Sequence, residues 1–514
     1  YLNQIDRVLP RLLALYDQNP ISPTLGIGDR FYWSWKIIDF GNATFQGVAH
    51  GLSRLVVNGS LPQGMDSNLI IKRIIRICRG VRHLQGKNGS VGEAFPNESS
   101  FCVTALVAYD LLSSIEVLGD RISDSETSEI LNIVSPLISF LRRSDEHHAL
   151  ISNHLATASV ALYKFHAITG LDDRCDRGRL FLNRILSSQS SEGWFKEYEG
   201  ADIGYQSLCT FYLADLHRLR PDLGLLEPLT RSIKFSSHFL QLDGSFGGVY
   251  GSRNTRFYYP SGFEMLRSEI PEAGCLADFM RQSIRSNSVV TLETLDEPNL
   301  APMFNSYCFA AEYFNISGST SPSLPCHNPN LGVLHFPEAG LLVRGDQFSY
   351  TIISTKKGGV CYYQPRDMNL KKVIDAGAAY RNCSGEVYTT QALQHDNDIS
   401  ISPDNVEIRA TLVRTNHIMP TPFKFLVLRV LNLTLMRNLR LGNVIKKCLA
   451  WLLINRQRKS SVANRRTINF QSSISIRDEL QGESQDWEKI DISEAFSSIH
   501  MASQGYWQRQ DDSK

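Results

Sequence analysis

The chain has 514 residues, of which 42% are hydrophobic and 20% charged, a globular composition too long for one ordinary hydrophobic core. Its 53 lysines and arginines balance 52 aspartates and glutamates, so no electrostatic field favours a nucleic-acid partner. The ten cysteines include no Cys-x-x-Cys pair, which argues against a zinc ribbon or a redox motif. No apolar run approaches the length of a membrane span.

The cysteines and the start of the chain bear on the cellular compartment. Cys78, Cys209, Cys308 and Cys448 lie within apolar helical runs, where buried free thiols are expected. Free thiols slightly favour the cytoplasm, whereas seven Asn-x-Ser/Thr sequons point weakly towards secretion. The chain opens at Tyr1 without a signal-peptide pattern, and because the start could be trimmed, the localisation is left unassigned.

The first 315 residues follow a helical period and contain no convincing run of strands. Ser152 is the expected N-cap and Gly170 the expected C-cap of one helix. Helices are predicted near residues 2–18, 68–85, 100–118, 126–143, 152–169, 176–188, 204–219, 226–240, 270–285 and 300–314.

Three loops between these helices share one pattern: an acidic or amide residue and a glycine, followed by aromatic residues. They are Asn88–Phe101, Ser191–Tyr205 and Asp243–Phe257. The recurrence predicts helical hairpins stacked side by side, with loops of one kind gathered on one rim. Aromatic faces pack on the apolar side of sugar rings, and carboxylates, amides and arginines bind hydroxyls and acids. The rim is therefore predicted to form a carbohydrate groove.

The period changes to two after a Ser/Pro/Asn-rich linker at 317–330. Strands after a run of helices indicate a separate antiparallel domain, here a β-sandwich over 331–482 that follows a helical domain at 1–316. Residues 483–514 are predicted to be a partly disordered extension with a frayed end. Strands are predicted at 341–344, 348–354, 406–414, 423–435 and 468–477.

A short apolar segment flanked by basic residues, Asn443–Lys459, interrupts the predicted strands. It predicts a helical insertion near 443–455 that is too short to span a bilayer. The expectation is a helix packed on the sheet, and the alternative is a helix lying on a membrane surface.

The candidate catalytic residues lie at the first turns of two predicted helices. Asn153 and His154 begin one helix, whose dipole should lower the imidazole pKa and favour the neutral form. A neutral histidine beside an amide donor can accept a proton or polarise a carboxylate. Tyr205 begins another helix, 51 residues later. Each residue alone also fits a capping or packing role, and it is their combination at one rim that points to catalysis.

Helical hairpins followed by an antiparallel sandwich, with this Asn-His pair and tyrosine, resemble the heparinase II/III and alginate-lyase group of polysaccharide lyases. The segments Glu192–Leu208 and His335–Gly359 resemble that group's toroid loop and the opening of its sandwich. The resemblance implies an incomplete α/α toroid followed by a β-sandwich, and β-elimination on uronic-acid polysaccharides. No cofactor or metal is predicted, since His395 and His417 are isolated and show no zinc-ligand spacing.

In β-elimination the C5 proton beside a carboxylate is removed, so the carboxylate must first be neutralised. The resemblance implies that Asn153 and His154 hold the carboxylate or act as the base. It implies that Tyr205 is the acid, and a second candidate for the base. Arg253 and Arg256 are candidates to pair with substrate carboxylates. The remaining predicted substrate contacts are Trp194, Glu197, Glu199, Asp202, Tyr258, Tyr362 and Tyr363.

One departure from the group's pattern keeps other functions open. Many members carry a histidine-rich segment early in the β-domain, whereas the comparable stretch here, Lys356–Asp367, has no histidine. Tyr362 or Tyr363 is a candidate replacement, and a uronyl epimerase or a non-catalytic glycan-binding protein remains an alternative. The carboxylates of the 197–202 loop also leave a glycoside hydrolase open. The predicted partner is an acidic polysaccharide, in capsule or exopolysaccharide production or turnover.

Overall fold

The computed structural model describes residues 1–146, 149–170, 175–314, 323–367, 369–415, 419, 421–450, 458–470, 474–482, 486–492, 495–499 and 505–507. Helices make up its first part: α1 (Leu2–Leu13), α2 (Arg30–Trp33), α3 (Val48–Val57), α4 (Ser67–Leu84), α5 (Phe101–Leu118), α6 (Asp124–Arg143), α7 (Ser152–Thr169), α8 (Cys175–Ser187), α9 (Ile203–Leu219), α10 (Leu226–Ser237), α11 (Ser261–Met265), α12 (Pro271–Ser286) and α13 (Glu297–Tyr313).

The odd-numbered helices from α3 to α13 form a ring, in which each contacts the next and α13 returns to α3. The even-numbered helices from α4 to α12 pack outside their partners in the ring. Helix α13 is followed by strands within the described residues, and α1 from the start of the chain packs against it instead. This arrangement confirms the predicted α/α toroid.

Inner and outer helices differ in their apolar patterns. The outer helix α4 buries Ile70, Ile74, Ile77 and Val81, at three- and four-residue spacing, and exposes its other face. The inner helix α5 is buried on all sides. Among the described residues, the stretch Phe101–Arg121 is long and apolar enough to cross a bilayer, but 78% of its most apolar part is buried inside the fold.

A network of buried ions closes one end of the toroid. Asp215 of α9 accepts a hydrogen bond from Tyr109 at 2.9 Å and lies 3.1 Å from the Lys164 ammonium. Burial alone would raise the pKa of Asp215, but Lys164 and Arg218 outweigh it and hold that pKa well below its usual range. The network lies towards the C-terminal ends of the inner helices, opposite the end where α7 and α9 begin.

The second part of the chain forms two antiparallel sheets. Sheet one has the order β1-β2-β3-β4-β5, and sheet two has the order β11-β10-β9-β7-β6-β12 with β8 paired to β9. The strands are β1 (Gly332–Phe336), β2 (Leu341–Gly345), β3 (Ser349–Ser354), β4 (Val360–Pro365), β5 (Val373–Asp375), β6 (Ala379–Arg381), β7 (Val387–Thr389), β8 (Asp398–Ile401), β9 (Asn405–Arg414), β10 (Lys459–Asn469), β11 (Ser475–Gln481) and β12 (Glu488–Lys489).

Sheet one is buried on both faces, because it lies between the toroid and sheet two. In β2, Leu341 and Val343 belong to the core shared with the helices, whereas Leu342 packs with Ile408 and Ile468 of sheet two. Alternate residues of one strand therefore pack in two different hydrophobic cores, one shared with the toroid and one shared with sheet two. This double burial explains why the central strands are almost continuously apolar.

Lys357, in the turn between β3 and β4, ties sheet one to the toroid. Its ammonium is fully buried and donates to the carbonyls of Val249 at 2.5 Å and Gly251 at 3.0 Å, and to Asn254 Oδ1. All three acceptors belong to the third aromatic loop. Burial lowers the pKa of Lys357 to about 7, although the nearby Asp202 carboxylate opposes this shift.

The predicted strand at 423–435 is wrong, because these residues form helix α14 (Pro422–Leu433). The Thr421 hydroxyl caps its start, Pro422 occupies its first turn, and the run lacks the alternation of a half-buried strand. A second helix, α15 (Leu439–Ala450), follows it, so the insertion is a helical hairpin longer than predicted.

Other boundaries also differ from the predictions. The predicted strand at 468–477 spans the end of β10 and the start of β11, while 471–473 lie outside the described residues. Helix α3 was not predicted. Cys78, Cys209 and Cys308 are buried as expected, whereas Cys448 is exposed. Residues 317–322 of the predicted linker and about half of the extension also lie outside the described residues.

We predict that Lys357 makes stability depend on pH. The unfolded chain binds this proton more readily than the folded protein, so the lysine's contribution to stability rises with pH from about 7 to about 10.5. The gap in unfolding free energy between the wild type and Lys357→Met should therefore widen by about 1–2 kcal/mol between about pH 7 and about pH 9, measured by urea denaturation. The exposed Lys72→Met is the control, and a gap independent of pH would contradict the prediction.

Candidate active site

Three segments are joined by backbone hydrogen bonds at the end of the toroid where α7 and α9 begin. The Tyr198 amide donates to the Leu150 carbonyl at 3.0 Å, and Ile151 pairs with Glu197 as an isolated bridge. The Ser252 amide donates to the Ala201 carbonyl at 2.8 Å. The second aromatic loop therefore lies between the start of α7 and the third aromatic loop.

The buried carboxylate of Asp202 fixes the second and third loops to each other. It caps α9 by accepting a hydrogen bond from the Tyr205 backbone amide at 3.2 Å, and it accepts a second one from the Arg253 backbone amide at 2.9 Å. The Thr255 hydroxyl donates to it as well. Gly204 allows this close approach, since a Cβ there would lie 2.3 Å from the Thr255 hydroxyl oxygen. Tyr205 and Arg253 are thus held side by side.

The guanidinium of Arg253 lies beside two tyrosine rings. Its central carbon is 4.0 Å from the ring centroid of Tyr198 and 5.1 Å from that of Tyr205. Its buried Nε has no hydrogen-bond partner, and no acceptor for the guanidinium is found among the residues that the structure describes. By contrast, the buried guanidiniums of Arg54 and Arg466 both pair with carboxylates.

Tyr198 has a left-handed backbone, with a φ of 58°. This conformation is costly for a residue with a large side chain, and such strain is concentrated at functional sites. The amide bond to Leu150 and the packing against Arg253 hold the residue in place. Tyr198 is thereby positioned as one wall of the space around the guanidinium.

Asn153 and Glu197 form a buried pair. The Asn153 side-chain amide donates to Glu197 Oε2 at 2.9 Å, and its backbone amide donates to Oε1 at 3.0 Å. Burial raises the pKa of Glu197 to about 7, against the opposing effect of these hydrogen bonds. Asn153 is 3% exposed and Glu197 is 0% exposed, so the pair joins two segments and does not face solvent.

His154 is one-fifth exposed, and its Nδ1 lies 2.7 Å from the buried carboxylate of Glu146. The Cys102 thiol, in the first turn of α5, lies beside the same imidazole. Burial lowers the pKa of His154, but Cys102 and Glu146 outweigh burial and raise it well above the usual value. The shift is opposite to the one expected from the helix dipole, because the two neighbouring groups act more strongly on the imidazole. Ser152 is likewise not the N-cap; Ile151 is, and the Ser152 hydroxyl donates to the Lys196 carbonyl.

The other sequence-predicted residues are less accessible or lie further away. Arg256 donates to the hydroxyl of buried Tyr362 at 3.2 Å, in the interface with sheet one. Tyr363 points to the opposite side of that sheet, where it packs with sheet two. Trp194 and Tyr258 are buried, so neither ring offers a face to a sugar in this conformation. Glu199 is exposed, 3.7 Å from the Lys196 ammonium.

A cavity of about 740 Å³ lies between α1, the segment after α12 and residues 505–507. It is lined by Arg11, Glu293, Asp296 and the described C-terminal residues Gly505–Trp507. These residues bond to 294–296, so this part of the expected frayed tail is docked on the toroid. The cavity borders the back of the third loop, where the Tyr506 hydroxyl donates to the Asn254 carbonyl at 3.4 Å.

Three residues of this cluster were missed by sequence reasoning. Glu146 lies in a turn eight residues before His154, and a carboxylate near a histidine is too common to single out. Cys102 is an ordinary first-turn residue of α5 in the sequence. Tyr198 lies within the second aromatic loop, so the loop pattern pointed to its neighbourhood without revealing its left-handed backbone.

No family model matches the sequence, and no curated protein sequence matches it. Among solved structures, a xanthan lyase from Paenibacillus is similar with a TM-score of 0.49 and 11% identity, over 81% of this chain and 46% of that one. Heparinase III is similar with a TM-score of 0.47 and 10% identity, over 82% of this chain and 60% of that one. This chain therefore spans about half the length of the xanthan lyase.

A cellobiose 2-epimerase from Bacillus thermoamylovorans matches at a TM-score of 0.44 and 8% identity, over 61% of this chain and 98% of that one. The similar structures thus include polysaccharide lyases and sugar epimerases, and also glycoside hydrolases. At these identities the likeness concerns the overall fold and assigns no residue a role. The elements of the chain itself form an α/α toroid followed by antiparallel β-sheets.

We predict that Glu146 sets the charge of His154. In Glu146→Gln the imidazole loses its adjacent carboxylate, so its pKa should fall by about one unit or more. Titration of the histidine ring resonances by NMR measures this shift directly, with His154→Gln identifying the resonance and the exposed Glu199→Gln as control. An unchanged titration in Glu146→Gln would show that the carboxylate does not hold the imidazole charged.

Proposed function

We propose that the protein is a glycan-active enzyme that cleaves a uronate-containing polysaccharide by β-elimination at the cluster around Arg253. The observation that carries this proposal is a partly buried guanidinium without an acceptor among the described residues, placed between two tyrosine rings. A half-buried guanidinium whose Nε has no acceptor is suited to bind an anion, and its fork matches a carboxylate. A uronate carboxylate is the anion that such a substrate supplies.

Pairing the uronate carboxylate with Arg253 serves the chemistry as well as binding. The carbanion formed at C5 is stabilised when the adjacent carboxylate is neutralised and can accept charge. His154, whose pKa is raised by Cys102 and Glu146, is a second group near the same cluster that can carry positive charge. Both groups are held in place before substrate arrives, so little reorganisation is needed in the transition state.

Tyr205 is the proposed acid and base. Its phenolate removes the C5 proton, the electron pair forms the C4–C5 double bond, and the C4–O bond breaks. The phenol then returns that proton to the leaving glycosidic oxygen, so the residue ends in its starting state. The guanidinium beside the ring favours the negative charge that the tyrosine carries in this cycle.

The hydrolase alternative has less support from the geometry. Hydrolysis needs two carboxyl groups that reach the scissile bond from opposite sides. Glu197 is fully buried against Asn153. Asp202 is also buried, and its carboxylate already accepts hydrogen bonds from backbone amides. Glu199 is exposed but belongs to the same short loop. Epimerisation begins with the same proton removal, and non-catalytic binding needs only the guanidinium, so the test must separate all three.

The test is to incubate the protein with a panel of uronate polymers and follow the ultraviolet absorbance of unsaturated products. We expect Arg253→Gln to lower kcat/KM by about 100-fold or more, since it removes the charge that stabilises the transition state. Tyr205→Phe should abolish turnover while leaving binding of the polymer within about threefold of the wild type. Arg409→Gln and Tyr388→Phe, both in sheet two, are the matched controls.

The other outcomes each name a different function. A change in C5 configuration without absorbance would identify an epimerase. Binding without product, unaffected by Tyr205→Phe, would identify a glycan-binding protein. Saturated reducing ends whose release survives Arg253→Gln would contradict the proposed role of the guanidinium.

A further inference from the structure

The helical hairpin formed by α14 and α15 is far more apolar on its surface than the rest of the chain. Between residues 419 and 444 it exposes ten large hydrophobic side chains, and Phe423 is 73% and Phe425 is 59% exposed. The ten are Met419, Phe423, Phe425, Leu426, Val427, Val430, Leu433, Leu435, Leu441 and Val444. Contiguous apolar surface of this kind marks a site that another surface covers.

Helix α14 is apolar around its whole circumference and has few contacts with the body of the protein. Phe423, Phe425 and Leu426 follow one another closely and are all exposed, so no single face is turned inwards. A helix of this kind is ordinarily buried in a core or a membrane. Most side chains of the insertion predicted near 443–455 lie outside the described part of the chain, so its packing on the sheet stays a prediction.

The charge of the hairpin identifies what covers it. Residues 419–450 contain six lysines and arginines and no aspartate or glutamate, although the whole chain is nearly neutral. The basic residues are Lys424, Arg429, Arg437, Arg440, Lys446 and Lys447. Apolar side chains bordered by lysine and arginine are typical of a helix that lies in the interface of an anionic membrane.

Two other occupants fit this surface less well. A second copy of the chain would bring two basic hairpins together, and like charges in contact are unfavourable. An acidic polysaccharide would find leucine and valine side chains, which offer no hydrogen bonds to its hydroxyls. A lipid surface satisfies both properties at once, because acyl chains receive the apolar residues and headgroup phosphates receive the basic ones.

We propose that the α14–α15 hairpin docks the protein on an anionic lipid surface, as an interfacial anchor and not as a membrane span. Contacts between described residues connect the anchor to the toroid. Arg429 forms an ion pair with Asp39, and the Asn97 side chain donates to the Asn432 carbonyl at 3.3 Å. Asn97 belongs to the first aromatic loop, so docking would place that rim of the toroid close to the membrane.

The test is co-sedimentation of the full chain with phosphatidylcholine vesicles that contain or lack phosphatidylglycerol. We expect binding to the anionic vesicles that weakens as salt is raised, and much weaker binding to the neutral ones. The double variant Phe423→Ser/Phe425→Ser should lower the affinity about tenfold or more. Phe348→Ser is the matched control, because Phe348 is 75% exposed in the turn between β2 and β3.

Charge variants test the second half of the proposal. Lys424→Glu/Lys447→Glu should reduce binding to anionic vesicles and leave the residual binding to neutral ones unchanged, whereas the exposed Lys72→Glu should change neither. Far-ultraviolet circular dichroism of each variant checks that it is folded. Failure of the wild type to bind either vesicle would overturn the proposal, and so would a dimer in sedimentation velocity that Phe423→Ser/Phe425→Ser dissociates. Neither result depends on the proposed lyase activity.

Discussion

The buried carboxylate of Asp202 is the contact on which the candidate site depends. One carboxylate accepts hydrogen bonds from the start of α9 and from the third aromatic loop, so it holds Tyr205 and Arg253 in contact. Bonds from backbone amides to a buried carboxylate are strong, because the charge has no competing water. Within the described part of the chain the guanidinium has no acceptor, and the loop that bears it is fixed through its backbone by Asp202.

Sheet one supports the same loop from the other side. The Lys357 ammonium donates hydrogen bonds to three acceptors on the third loop. The Tyr362 hydroxyl accepts a hydrogen bond from Arg256 of the same loop. The β-domain therefore shapes the third toroid loop through Lys357 and Tyr362. Lys357 and Tyr362 both belong to Lys356–Asp367, the stretch that has no histidine, and both have a structural role here. The residues proposed for the chemistry all belong to the toroid.

The sequence predicted those features that repeat over many residues. Apolar periodicity located the helices of the ring, and the shift to a period of two located the sandwich. The three aromatic loops placed Arg253 and Tyr205 in one set, and the structure brings these two side chains together. Apolar strands such as β2 were recognisable because each of their two faces enters a core.

The sequence did not reveal features that depend on single distant contacts. Asp202 and Glu197 were expected to bind hydroxyls, yet both carboxylates are buried and hold loops together. The raised pKa of His154 follows from its contacts with Cys102 and Glu146, and no motif in the sequence places these two residues beside it. The hairpin at α14 was assigned as a strand because an apolar run without clear periodicity fits both states.

The most direct test of the central claim is a crystal structure of the protein with a uronate oligosaccharide bound. The account predicts a carboxylate of the sugar within hydrogen-bond distance of the Arg253 guanidinium, with the Tyr205 hydroxyl next to C5 of the same residue. A sugar bound instead in the cavity beside Tyr506, with Arg253 untouched, would contradict it.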